Sequence, residues 1–211
     1  MISPAILDDN HTYRLADGTK RCGISEILRR AGYLDDMHGS QDAMDRGTRI
    51  HKAIELDLLH WWDNGAALDE SSIEADEIGY LHGARRAVKE LGISPLRLSG
   101  RIGIEIPVGN VPLGYGTQID VLASITIDPR WTGQPCVINW KSSIATYPHY
   151  PLQAALEALC VSAATHRLSI HLTEDGGFRP IEHKDRDDFV AARAAVTTYH
   201  DKCKRGLIHH G

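Results

Sequence analysis

Three runs rich in strand-forming residues lie close together in the middle of the chain: Arg101 to Val108, Tyr115 to Ile127 and Cys136 to Lys141. The stretches between them, Gly109-Asn110 through Gly114 and Asp128-Pro129 through Pro135, are turn chemistry. Strands joined by such short connections pair with their sequence neighbours, which predicts an antiparallel meander. Helical periodicity brackets that meander. From Ser40 to Trp62, Ala43, Gly47, Ile50, Ile54, Leu58 and Trp61 recur at steps of three and four, one apolar stripe of a long helix. From about Ser71 to Leu91 a second helix is expected, with Ile78, Leu81, Ala84, Val88 and Leu91 in step and Gly92 placed to end it. Its acids Glu74, Asp76 and Glu77 come early and Arg85, Arg86 and Lys89 late, which suits the helix dipole. Beyond the meander, Pro151 suits a first helical turn, and Leu152, Ala155, Leu156, Leu159 and Ala163 form an apolar face. Leu168, Ile170 and Leu172 then alternate with polar residues, a Glu174 to Gly177 turn leads into Phe178 to Glu182, and a last helix is expected from about Asp187 to Lys204. The order helix, three strands, helix, strand implies an α/β (α+β) domain, a central mixed sheet flanked by helices, with extra helices at the N-terminal end.

A chain of 211 residues, 42% of them hydrophobic, is long enough for one well-packed core. We therefore expect a single domain over residues 1–211, with residues 1–40 as an N-terminal extension and no internal repeat. Cys22, Cys136, Cys160 and Cys203 are scattered, without metal-ligand spacing, and are expected to be reduced thiols. No basic-then-apolar leader opens the chain, and no apolar run approaches the roughly 20 residues a bilayer requires. A soluble, untargeted cytoplasmic protein is the expectation. The formal net charge of −5 argues against a protein that coats nucleic acid along its length, so any such contact must be local. Of the twelve histidines, all but His51 lack shared ligand spacing and are read as surface or packing residues.

Polar residues interrupt the apolar strands at particular points. Side chains alternate along a strand, so Asn139 and Lys141 share one face while Ile138 and Trp140 occupy the other. By the same alternation, Asp120 shares a face with Gln118 and Leu122, and Ile119, Val121, Ala123 and Ile125 form the opposite one. A lysine among apolar neighbours loses solvation, which moves its pKa toward proton handling. Phosphodiester hydrolysis needs carboxylate oxygens for a hard divalent ion and a cation beside the attacking water, and Asp120 and Lys141 are one of each.

Gly47-Thr48-Arg49-Ile50-His51 on the long helix, Gly116 to Asp120, Asn139-Trp140-Lys141 and Gln153 on the following helix occur in that order between about Ser25 and Ser169. The set resembles the PD-(D/E)XK nuclease superfamily, and within it the RecB-like and phage-type exonucleases. That resemblance implies a restriction-endonuclease-like αβββαβ core and a magnesium- or manganese-dependent deoxyribonuclease. His51, Asp120, position 139 and the backbone carbonyl of Trp140 would hold the metal, and Lys141 would assist the attacking water. Gln153 would meet a phosphate near the helix N-terminus, where backbone amides also face anions. Glu105 is a further candidate carboxylate, because family members often carry an acid there. Glu55, one turn beyond His51, is placed to receive the second imidazole proton. The implied substrate is linear duplex DNA attacked at its ends, in phage or prophage recombination, beside a single-strand annealing partner protein and in the host cytoplasm. Oligomerisation is left open, and no membrane is involved.

Three departures stand out. Gly116 lies one residue further from Asp120 than the family spacing, the family's tyrosine four residues after the glutamine is Glu157, and the family's acid at position 139 is an asparagine. An amide keeps the shape of aspartate but loses its charge, so metal affinity should fall. The expectation is a nuclease impaired by Asn139, with the otherwise intact motif set favouring a deliberate aspartate-to-asparagine change over decay. The alternative is a non-catalytic DNA-end-binding protein on a nuclease scaffold. A remoter one is a small-molecule hydrolase with a histidine–carboxylate metal site.

Overall fold

The computed structural model describes residues 3–8, 12–34, 41–98, 100–162 and 165–208. The expectations for His11, His38, Ala163, His209 and His210 fall outside these residues. Four short strands open the chain, β1 (Ser3–Pro4), β2 (Ile6–Leu7), β3 (Tyr13–Arg14) and β4 (Lys20–Arg21), followed by helices α1 (Ile24–Ala31), α2 (Gln41–Asn64) and α3 (Ile78–Leu91). Next come β5 (Ile93–Pro95), a two-strand ribbon of β6 (Arg97–Leu98) and β7 (Arg101–Ile102), and the long strands β8 (Ile104–Asn110), β9 (Tyr115–Ile125) and β10 (Pro135–Lys141). Helix α4 (His149–Val161), β11 (His166–Leu172), β12 (Phe178–Glu182) and α5 (Asp187–Lys204) complete it.

The main sheet runs β1-β8-β9-β10-β11-β12, with β5 also pairing β9. The meander β8-β9-β10 is antiparallel, as its short turns require. Strand β11 then runs parallel to β10, in register from Cys136↔His166 to Lys141↔His171, and α4 makes the crossover that a parallel pair needs. The sheet is therefore mixed and covered on both faces. On one face Ile50, Ile54 and Leu58 of α2 and Leu81, Ala84 and Ala87 of α3 pack on Val121, Ala123, Ile138 and Trp140. On the other, Ile27 of α1, Leu152 and Leu156 of α4 and Ala192 and Val196 of α5 pack on Ile106, Ile119, Leu122 and Val137. Among the described residues, no helix is long and apolar enough to cross a membrane.

The expected elements appear with four revisions. Helix α3 begins at Ile78 rather than near Ser71, because residues 70–72 form a separate 3-10 turn capped by Asp69. The acids meant for its first turn lie ahead of it; Glu77 is buried, its carboxylate 2.5 Å from Arg49 Nε of α2. The first strand of the meander is split at Gly103, where a Cβ would lie 2.4 Å from the Leu122 carbonyl oxygen. The face assignment along β9 also changes: Ile119 packs with Leu122 on one layer while Val121 packs on the other. Two residues of equal parity on opposite layers mean that the strand's alternation shifts phase between them, at Asp120. Finally, the N-terminal extension holds strands as well as a helix. β2, β3 and β4 form a small sheet whose Tyr13 lies against Gly116; a Cβ there would come within 2.3 Å of Tyr13 Cβ.

Candidate metal centre

The break in the alternation of β9 opens the cleft. Strands β8 and β9 pair at Ile104↔Val121 and Ile106↔Ile119, while Glu105 and Asp120, between those pairs, have no registered partnership. Glu105 adopts φ 45°, the one positive φ of a non-glycine among the described residues. Such a backbone costs on the order of 1–3 kcal/mol and persists only where surrounding structure imposes it. On the other edge of β9, pairing with β10 stops at Val121↔Ile138. The two strands part there, and the Asp120 carboxylate fills the gap: its Oδ2 accepts the Trp140 backbone N–H at 2.9 Å.

Into this gap α2 delivers His51, whose Nδ1 lies 3.4 Å from Asp120 Oδ2. His51, Glu105 and Asp120 each offer a ligand atom, and the three lie within 4.8 Å of one another. They come from a helix and two strands separated in sequence, so their convergence is a property of the fold. The electrostatics are unfavourable without a cation. Burial, then Asp120 and Glu55, push the Glu105 carboxyl up to about 9, against the opposing pull of its hydrogen bond from Gln118 and of Lys52. Two oxygen donors and one imidazole, crowded and short of positive charge, fit a hard or borderline divalent ion. Glu55 does not accept the second imidazole proton of His51 in this arrangement: its carboxylate accepts from Lys52 Nζ at 2.6 Å, and its charge reaches Glu105 instead.

The other expected residues form a chain of hydrogen bonds along the opposite wall. Asn139 and Lys141 point toward α4, as strand alternation requires, and both meet Gln153. Lys141 Nζ donates to Gln153 Oε1 at 3.1 Å and lies 4.5 Å from the centre of the Tyr150 ring. Burial pushes its pKa down, while Asp120 and Glu157 hold the proton on. Gln153 Nε2 donates to Asn139 Oδ1 at 2.6 Å and to Glu157 Oε1 at 3.0 Å. Asn139 Nδ2 donates to Glu157 Oε2 at 2.6 Å. Trp140 enters the site through its backbone, its ring being buried on the far face.

Compared with known proteins, no family model and no curated protein matches the chain. What it does is therefore argued from the site.

Sequence reasoning missed two residues. Glu157 stood out only as the absence of a tyrosine, yet it is fully buried with both carboxylate oxygens facing the amides of Asn139 and Gln153. Burial first, then Asp120, lift its carboxyl to about 8, opposed by those amides and Lys141. Tyr13, from the N-terminal sheet, lies near enough to Glu157 and Glu105 for both to help burial raise its pKa to about 12. The two residues line a cavity of about 780 Å³ that runs from Gln118, Gln153 and Glu157 past Thr12 and Lys20 to the start of α1. An acid on the buried face of a helix that covers a sheet was the available signal for Glu157; nothing in the sequence marks Tyr13.

Proposed function

We propose that the protein is a magnesium- or manganese-dependent DNA exonuclease with a restriction-endonuclease-like core, of the phage or prophage recombination type. The observation that carries the reading is the meeting of His51, Glu105 and Asp120 where β9 parts from its neighbours, with Lys141 within electrostatic reach of Asp120. His51, Asp120, Glu105 and the oxygens of Asn139 and Trp140 would hold the ion, and the imidazole tilts preference toward manganese. A divalent ion held there would supply charge to offset that on the scissile phosphate and would acidify a water. Lys141, held in place by Gln153 Oε1, would orient the attacking water and oppose the charge gathering on the phosphate. The Trp140 N–H keeps Asp120 aimed into the cleft. Linear duplex ends are the substrate of this reading, and a single-strand annealing protein its natural partner.

The test is digestion of end-labelled linear duplex and covalently closed circular DNA with manganese. Loss of label from the linear form alone, abolished by chelator and by Lys141→Ala, is the expected result. Equal rates for Lys141→Ala and the unaltered chain would remove the reading. Asn139 supports one rival, a DNA-end-binding protein on a nuclease scaffold, for which the same assay would show retention of linear DNA with no loss of label by any form.

A further inference from the structure

The asparagine at position 139 and the glutamate at position 157 touch each other, and each departs from the resembled motif in a way that complements the other. The strand position has lost an acid, and the helix position has gained one. Asn139 Nδ2 donates to Glu157 Oε2 at 2.6 Å, while Gln153 Nε2 serves both the Asn139 carbonyl at 2.6 Å and the other Glu157 oxygen at 3.0 Å. An aspartate at 139 would set two carboxylates at that 2.6 Å separation, where both cannot stay ionised. An asparagine is the isostere that instead hands Glu157 a proton donor. Glu157 is 0% exposed and has no arginine among its hydrogen-bond or ion-pair partners, a costly place for an acid that serves packing alone.

We infer that Glu157 supplies the site carboxylate that the motif places at position 139, so that Asn139 and Glu157 are a transposed pair and Asn139 does not impair the site. The inference rests on the metal-dependent reading above and goes beyond it, because it moves a ligand-bearing charge from β10 to α4. The total negative charge facing Lys141 is unchanged by the exchange, and Gln153 bridges the two positions whichever of them carries it. Glu157 also lines the cavity that runs toward Lys20 and the start of α1.

Four forms decide it: the unaltered chain, Glu157→Gln, Asn139→Asp, and the double variant Asn139→Asp/Glu157→Gln. Each is titrated with manganese alone, followed by the electron paramagnetic resonance of the free ion, and assayed on linear duplex DNA. Thermal melting confirms that each folds; the double variant keeps one acid and one amide in contact and should melt with the unaltered chain. Glu157→Gln should weaken manganese binding at least about tenfold, Asn139→Asp should not strengthen it, and the double variant should return to within about threefold of the unaltered chain. Tighter binding or faster cleavage by Asn139→Asp alone, or indifference to Glu157→Gln, would overturn the transposition while leaving the nuclease reading in place. The expected binding pattern with no DNA cleavage by any form would keep the transposition and remove the nuclease reading. No manganese binding by the unaltered chain would overturn the transposition as well.

Discussion

The molecule buries acids in two regions and treats them in opposite ways. Asp57, on α2 six residues beyond His51, is 4% exposed. Arg85 of α3 meets it with two hydrogen bonds, Nε to Oδ2 at 3.0 Å and the terminal nitrogen to Oδ1 at 2.7 Å, and the Leu68 N–H adds a third at 2.8 Å. The same guanidinium reaches Glu70 and the Leu68 carbonyl, so both sides of the pair are satisfied. Among the described residues, Glu105, Asp120 and Glu157 have no guanidinium partner. Their partners are Gln118, His51, a backbone N–H, Asn139 and Gln153, with Lys141 acting on Asp120 and Glu157, and burial with mutual repulsion still raises the Glu105 and Glu157 carboxyls. A structural acid is given its own fixed counter-charge. Asp120 and Glu157 instead share Lys141, and Glu105 has only the more distant pull of Lys52; on the function proposed above, this shortfall of positive charge beside an imidazole is what a cation from solution would make up.

The contrast can be broken most forcefully by removing a partner on each side. Arg85→Met strands Asp57 in the core and should cost about 3–5 kcal/mol of stability, read by urea denaturation. Asp120→Asn, in metal-free buffer, relieves repulsion on Glu105 and Glu157 and should leave stability equal or higher. Opposite signs sharpen the distinction; a comparable loss from Asp120→Asn would erase it.

A third buried titratable group is stabilised in neither way. His183 is buried with its Nε2 2.9 Å from Ser169 Oγ, and burial, then Arg167 and Lys141, push its pKa down to about 4. It is neutral when folded, and the unfolded chain takes up the proton first. Its contribution is therefore complete above about pH 6.5 and is lost as pH falls toward 4, amounting to about 3 kcal/mol at the acid end. Melting temperature followed from pH 7 to 4 should fall, and His183→Gln should flatten that slope. A parallel slope in the variant would show that other groups control it.

The smallest effect concerns the N-terminal sheet. Gly116→Ala would place a Cβ 2.3 Å from Tyr13, and should cost about 1–3 kcal/mol as an overpacked contact. If the cleft depends on that sheet, manganese binding weakens in step; unchanged binding would detach Tyr13 from the site.

Much of this was legible in the sequence because the signals are local. The alternation and turns of the meander, the stripe on α2 and the bounds of α5 all follow from neighbouring residues. So does the common face of Asn139 and Lys141. What was hidden depends on contacts between distant segments. The two-residue strands β1 to β4 are too short for any periodicity. Glu77, an acid expected inside α3, instead sits just ahead of it and meets Arg49, 28 positions away. His51 could be placed on a helix, but its approach to Asp120 is a matter of how α2 crosses the sheet. Glu105 could be recognised as an acid on a strand, whereas its positive φ could not. Asn139 looked like a loss because its partner, Glu157, lies 18 residues on and one layer away.

The most direct measurement is manganese binding to the metal-free protein by calorimetry, comparing the unaltered chain with Glu105→Gln and Asp120→Asn. The expected result is a saturable site in the unaltered chain and at least about a hundredfold weaker binding in Asp120→Asn, with Glu105→Gln between them. Indistinguishable isotherms for the three proteins would contradict the proposed assignment of these acids to a metal.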